Sequence, residues 1–183
     1  MKTRSFIAVN LPAELGDKIE KFVTSFQKYN LPVRWIEKNS LHLTLRFLGY
    51  IEDKEIGLSK NVLEKIAGIT NAHDIYLENL VIFPSLSSPR IIGLKIIRNK
   101  NLDNLFDQVN NEFSLLKIGK DENRDFIPHI TIGRVAGRVG DFEELKNILF
   151  QAFLKVESME LMKSSLSSKG AKYEIIQSFK FKE

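Results

Sequence analysis

The sequence contains no cysteine. That absence excludes a disulfide framework, a thiolate nucleophile and a cysteine metal site, and it suits a reducing compartment; a cytoplasmic location is expected. Only five prolines and ten glycines occur in 183 residues, and no Pro/Gly/Ser tract divides them, so the expectation is a single domain over 1–183. With 43% hydrophobic residues the chain is long enough to bury a sizeable core. No apolar run approaches the ~18 residues of a membrane span, and no membrane partner is expected. The first residues, "MKTRSFIAVNLP", place basic side chains before an apolar stretch. That stretch is far shorter than the ~7–15 residues of a signal peptide core, and it reads as a strand. The net charge of +4 and a pI near 9.2 lean toward an anionic partner without a polybasic tail.

Periodicity supplies the elements. Leu15, Ile19, Phe22, Val23 and Phe26 form a one-sided helical stripe, followed by Ile56, Val62, Leu63 and Ile66, then by Leu102, Leu105, Phe106, Val109 and Phe113. Phe142, Leu145, Ile148 and Leu149 predict a fourth helix, with Asp141 and Glu144 spaced like a capping box. Strand-like runs rich in β-branched and aromatic residues are "SFIAV", "LHLTLRFLG", "IYLENLVIF", "RIIGLKII", "HITIGRV", "KVESMELMKS" and "YEIIQSFKF".

The order strand, helix, histidine-bearing strand, helix occurs twice. A strand beginning at Phe6 precedes His42 by 36 residues, and one beginning at Ile91 precedes His129 by 38; helices start near Asp53 and Asp141, 11 and 12 residues after the two histidines. This agreement predicts a duplicated unit, with two lobes facing each other across a cleft.

Two of only three histidines open the same pattern, His-x-Thr, in a chain with just five threonines: "HLT" at 42–44 and "HIT" at 129–131. On a strand, side chains two apart share a face roughly 7 Å from one another, so each imidazole and its hydroxyl can reach one phosphate-sized group. Two such strands would offer two imidazoles, one able to take a proton while the other gives one. In-line displacement at phosphorus needs that pair, because an attacking water loses a proton and a leaving alkoxide gains one. The hydroxyls and a nearby cation would hold the non-bridging oxygens. Zinc is the rival use of two histidines, but catalytic zinc takes three protein ligands and neither strand supplies a third; no metal and no cofactor are expected.

These residues resemble a known family. "LHLTLRFLG" and "PHITIGRV" are similar to the paired HxTx motifs of the two-histidine phosphoesterase superfamily, most closely its LigT/ThpR group of RNA 2′,3′-cyclic phosphodiesterases. "RSFIAVNLP", "FPSLSSPRIIGL" and the hairpin "SSLSSKGAKYEII", through Ser164, Leu166, Gly170 and Tyr173, extend the likeness over most of the chain. The resemblance implies an α+β fold of two pseudo-symmetric lobes, each with an antiparallel sheet and flanking helices, around a central cleft carrying both motifs. It implies His42 as the proton donor to the leaving 3′ oxygen and His129 as the proton acceptor that activates water. Thr44 and Thr131 would bind phosphate oxygens, and Arg134 occupies the basic position after the second motif. The implied substrate is an RNA or nucleotide with a 2′,3′-cyclic phosphate end, hydrolysed by a monomer to a 2′-phosphate. Formation or cleavage of 2′–5′ linkages between tRNA halves is the enzymatic alternative, and a non-catalytic module that binds RNA ends is the other.

The phosphate-binding cation has two candidates. Strict alternation puts Arg46 on the face of His42 and Thr44 but points Arg134 away from His129, unless Gly133 marks a bulge that turns it back. His73 has no threonine partner and reads as a structural residue before a strand. Trp35 reads as packing, with base stacking as the functional alternative. Pro128 favours an extended backbone leading into His129.

Overall fold

The computed structural model describes residues 2–26, 29–119, 126–137, 145, 148–167 and 170–183. In chain order these form β1 (Lys2–Asn10), α1 (Ala13–Thr24), β2 (Val33–Trp35), β3 (His42–Glu52), α2 (Asp53–Ala67), β4 (His73–Phe83) and β5 (Ile91–Ile97). They continue with α3 (Lys100–Leu115), β6 (His129–Val135), β7 (Gln151–Val156), β8 (Ser158–Ser167) and β9 (Gly170–Lys180).

The helices follow from local chemistry. In α3 the Asn99 side chain accepts from the Leu102 N–H at 2.9 Å, and Leu102, Leu105, Val109 and Phe113 bury one stripe. In α2, Glu52 and Glu55 close a reciprocal capping box. The residues expected to form a fourth helix, 141–149, lie largely outside the described residues; 148–150 are in neither helix nor strand.

The α+β class is as expected, but the strands do not divide into two sheets. All nine described strands belong to one strongly curled antiparallel sheet of order β7-β4-β5-β6-β3-β1-β8-β9, with β2 added against β6. The two halves, β7-β4-β5-β6 and β3-β1-β8-β9, meet between β3 and β6, where the pairing is the single residue pair Leu43↔Ile130. Both residues are buried, at 1% and 0% exposure, in a core shared with α1, α2 and α3. The opposite face of the sheet carries the polar residues of both motifs.

Two strands differ in extent from the sequence pattern. The run "KVESMELMKS" is split at Glu157, its first residues closing β7 and the rest opening β8. The short β2, Val-Arg-Trp, alternates over only three residues, too few to announce a strand.

Candidate active site

The junction pair brings the two motifs together. His42 and Thr44 flank Leu43, and His129 and Thr131 flank Ile130, so alternation turns all four away from the core onto one face. Antiparallel geometry sets His42 beside Thr131 and Thr44 beside His129. The histidines are then diagonal neighbours, which in antiparallel pairs lie about 7–8 Å apart.

Each ring is oriented by the backbone. His42 Nδ1 lies 2.8 Å from the Ser40 carbonyl oxygen and His129 Nδ1 lies 2.8 Å from that of Ile127. A carbonyl only accepts, so both Nδ1 atoms carry the proton and donate it, leaving each Nε2 as the nitrogen that exchanges protons. Aromatic rings wall them in. Phe6 lies 5.0 Å and Tyr173 5.1 Å from the His42 ring, and Phe83 lies 4.7 Å from His129. Burial pushes the His42 imidazole below the usual 6.5, opposed by its bond to Ser40 and reinforced by the charges of Arg134 and His129. Burial also lowers His129, opposed by its bond to Ile127 and reinforced by Arg134.

The parity of both arginines is set by bulges. Along β3, Thr44 pairs with Ala8 and Arg46 with Ile7, so Leu45 has no partner on β1 and the side-chain alternation shifts by one. Arg46 therefore faces the core, 3% exposed, where Nη1 donates to Asn110 Oδ1 at 2.8 Å and to Ser114 Oγ at 3.4 Å on α3. The expectation that Arg46 points at the ligand is corrected: it ties the sheet to a helix. Along β6, Gly133 pairs with Ile92 and Thr131 with Gly93, so Ile132 is the unpaired residue. That bulge returns Arg134 to the face of His129 and Thr131, where its charge reaches both imidazoles. Gly133 is needed for a second reason. A Cβ there would stand 2.6 Å from Val33 Cγ1 and 2.9 Å from the Trp35 ring. Trp35 is packed against Phe26, with ring centroids 5.4 Å apart. His73 opens β4, buried, with Nδ1 donating to the Asn71 carbonyl at 3.0 Å.

Several residues of this face carry no signal in the sequence. Ala8 and Gly93 stand opposite the two threonines, and a Cβ on Gly93 would lie 3.1 Å from His129 Cδ2, so small residues make room for ring and ligand. Asn10 pairs with His42 and Lys95 with His129, while Arg34 on β2 pairs with Arg134 and adds a second guanidinium at that end. The Asn10 N–H donates to Glu160 Oε2 at 3.1 Å and Ser158 Oγ donates to Oε1 at 2.6 Å; burial raises this carboxyl above 4.5. Lone small or basic residues on strands look like any others until their neighbours are known. A cavity of about 730 Å³ lies elsewhere, between the start of α1 and β7, with Lys18, Tyr76 and Phe153 on its wall and no motif residue. Among the described residues, no helix is long and apolar enough to cross a membrane.

Known proteins resemble this chain in sequence and in fold. The family model described as LigT like Phosphoesterase matches residues 9–93. An RNA 2′,3′-cyclic phosphodiesterase of Methanocaldococcus jannaschii is 29% identical over 95% of this chain and 98% of its own length. One of Methanothermobacter thermautotrophicus is 27% identical over 98% of this chain and all of its own. Among solved structures, a Thermus thermophilus protein superimposes with a TM-score of 0.82 at 25% identity, covering 97% of both chains. Escherichia coli LigT complexed with 3′-AMP does so with a TM-score of 0.83 at 22% identity over the whole of both chains, a likeness of fold. With near full-length relatives of one kind and the fold in common, the chain is similar throughout to the LigT-like phosphoesterases.

Proposed function

We propose that the protein hydrolyses the 2′,3′-cyclic phosphate at the end of an RNA, or of a nucleotide, to a 2′-phosphate. The observation that carries this reading is the single pair Leu43↔Ile130, which sets both HxT motifs on one face with both Nδ1–H groups already engaged. The relatives named RNA 2′,3′-cyclic phosphodiesterase support the substrate. The two halves of the sheet act as lobes, and the cyclic phosphate sits between them.

In this mechanism His129 Nε2, neutral at pH 7 because burial lowers its proton affinity, takes a proton from water. The water oxygen bonds to phosphorus as the P–O3′ bond breaks, and His42 Nε2 delivers a proton to O3′. The products are a 2′-phosphate and a 3′-hydroxyl. Thr44 and Thr131 donate to the non-bridging oxygens, and Arg134 with Arg34 offsets the charge that builds on them. The phosphate also raises the lowered His42 pKa on binding, since an anion stabilises imidazolium, and so charges the acid where it is used. The exposed ring of Phe47, 47% accessible on the same face, is positioned for the terminal base.

The test is to incubate the protein with 2′,3′-cyclic AMP and identify the product by phosphorus NMR. A 2′-monophosphate is expected, in the presence of a strong chelator as in its absence. A 3′-monophosphate would reverse the assignment of leaving group, and binding without turnover would make the protein an RNA-end binding module.

A further inference from the structure

Past Phe47 the motif face of the sheet runs on to a second exposed ring. Leu48, like Leu45, has no partner on β1: Phe6 pairs with Phe47 and Ser5 with Gly49. Two bulges in one strand restore the alternation, so Tyr50 faces the same way as His42, Thr44 and Phe47. Tyr50 pairs with Arg4 and is 65% exposed. The Arg4 guanidinium is fixed beside it by donating from Nη1 to Ser164 Oγ at 2.9 Å, and Ser164 pairs with Tyr173, the ring that walls His42. From Asn10, opposite His42, to Arg4, opposite Tyr50, β1 advances six residues, about 20 Å at a rise of roughly 3.3 Å per residue. That is farther than the base of a nucleotide whose phosphate lies between the histidines can reach.

An RNA end closed by a 2′,3′-cyclic phosphate has no nucleotide on its 3′ side, so the rest of the strand must leave the site in one direction. Toward Arg34 and Arg134 it meets guanidiniums, with Trp35 turned away onto Phe26. Phe153, another exposed ring on the motif face, is on the outermost strand, three strands from β6. Toward β3's far end it meets two accessible rings on one strand and a fixed cation. The acid nearest that end, Glu52, is paired with Lys2 at 4.0 Å. Aromatic faces in line with a cation are what a single strand needs: rings for its bases, a positive charge for its backbone.

We propose that Tyr50 and Arg4 form a subsite for the unpaired nucleotides upstream of the cyclic phosphate, Tyr50 stacking a base and Arg4 contacting a phosphate. This rests on the cyclic phosphodiesterase reading above and specifies its substrate: a single-stranded RNA end rather than a mononucleotide. The subsite acts through binding and takes no part in the chemical step.

The experiment compares a single-stranded hexaribonucleotide ending in a 2′,3′-cyclic phosphate with 2′,3′-cyclic AMP. The wild type is expected to have the lower KM for the hexamer. Tyr50→Ala should raise that KM about 5- to 150-fold, the worth of one stacked base, with kcat unchanged. The preference for hexamer over mononucleotide should collapse, Tyr50→Phe should retain it, and Arg4→Gln should weaken it and flatten its salt dependence. Equal KM for the two substrates in the wild type, or a hexamer KM indifferent to Tyr50→Ala, would overturn the subsite. If neither substrate is turned over, the cyclic phosphodiesterase reading fails by itself. Fluorescence anisotropy with a labelled hexamer then decides the subsite: binding weakened by Tyr50→Ala upholds it, and binding unchanged by it ends it.

Discussion

Phe47 and Arg134 hold matching places, each five residues past a motif histidine and each carried to the motif face by one bulge, yet one is an aromatic ring and the other a guanidinium. The repeated motif is therefore not matched by a repeated surface. One end of the site is cationic, with Arg134 beside Arg34, and the other is aromatic. A ligand with a phosphate and a base at different distances from the histidines fits only one way round.

The charge of Arg134 depresses both imidazoles, and its side chain shares their face of the sheet. Arg134→Gln should lower kcat/KM by about 10²–10³-fold, the typical loss of one transition-state donor, while the proton affinities of both histidines rise. Proton NMR titration of the imidazoles, run beside steady-state kinetics, checks the two effects. An activity loss with no upward shift would mean that Arg134 does not sit in the field of the rings.

Arg46 should behave in the opposite way. Its hydrogen bonds to Asn110 and Ser114 join β3 to α3 in the core. Arg46→Leu is expected to cost about 1.5–3 kcal/mol of stability, the usual value of hydrogen bonds to a charged group, with kcat unchanged in the protein that remains folded. Urea denaturation and initial rates at low temperature separate the two outcomes.

Replacing either His42 or His129 by Ala should reduce turnover about 10²–10⁴-fold. The acid and the base can be told apart with a 4-nitrophenyl phosphodiester, whose leaving group needs no proton. That substrate should restore much of the rate of His42→Ala and little of that of His129→Ala; the reverse pattern would exchange their roles.

Burial holds both imidazoles below 6.5 in the folded protein, whereas the unfolded chain titrates near the ordinary value. Between the folded and unfolded values the unfolded chain binds more protons, so stability rises with pH there. The contribution is complete above about pH 6.5 and is lost as pH falls through the folded values. Thermal unfolding from pH 8 to pH 5 should show this decline, and the double variant His42→Gln/His129→Gln should show less of it. Glu160, raised by burial, adds an opposite slope at lower pH, but it is common to both proteins and cancels in the comparison.

What the sequence made legible were features with a period or a repeat. The stripes of α1 to α3, the strand "HITIGRV" and the two HxT pairs stand where the pattern puts them. Bulges escape such reading because alternation assumes one partner per residue. Gly133 hinted at one, and Arg134 lies on the motif face, but nothing about Leu45 distinguishes it from its neighbours, and alternation alone puts Arg46 on the wrong face. The joining of two expected sheets into one depends on Leu43 meeting Ile130, 87 positions apart in the numbering, a long-range pairing with no local signature.

The order of strands also says something about how such a chain could arise. β4, which follows the first motif, lies beside β5 in the half built around the second, while β8, which follows the second motif, lies beside β1 in the half built around the first. Each repeat thus hands its later strand to the other. A single repeat standing alone would leave an open edge beside its first strand and an unpaired strand of its own, a combination that two identical copies resolve by exchange across a twofold axis. The architecture has the connectivity of a strand-swapped dimer within one polypeptide, and Phe47 and Arg134 are the matching positions at which its two halves differ.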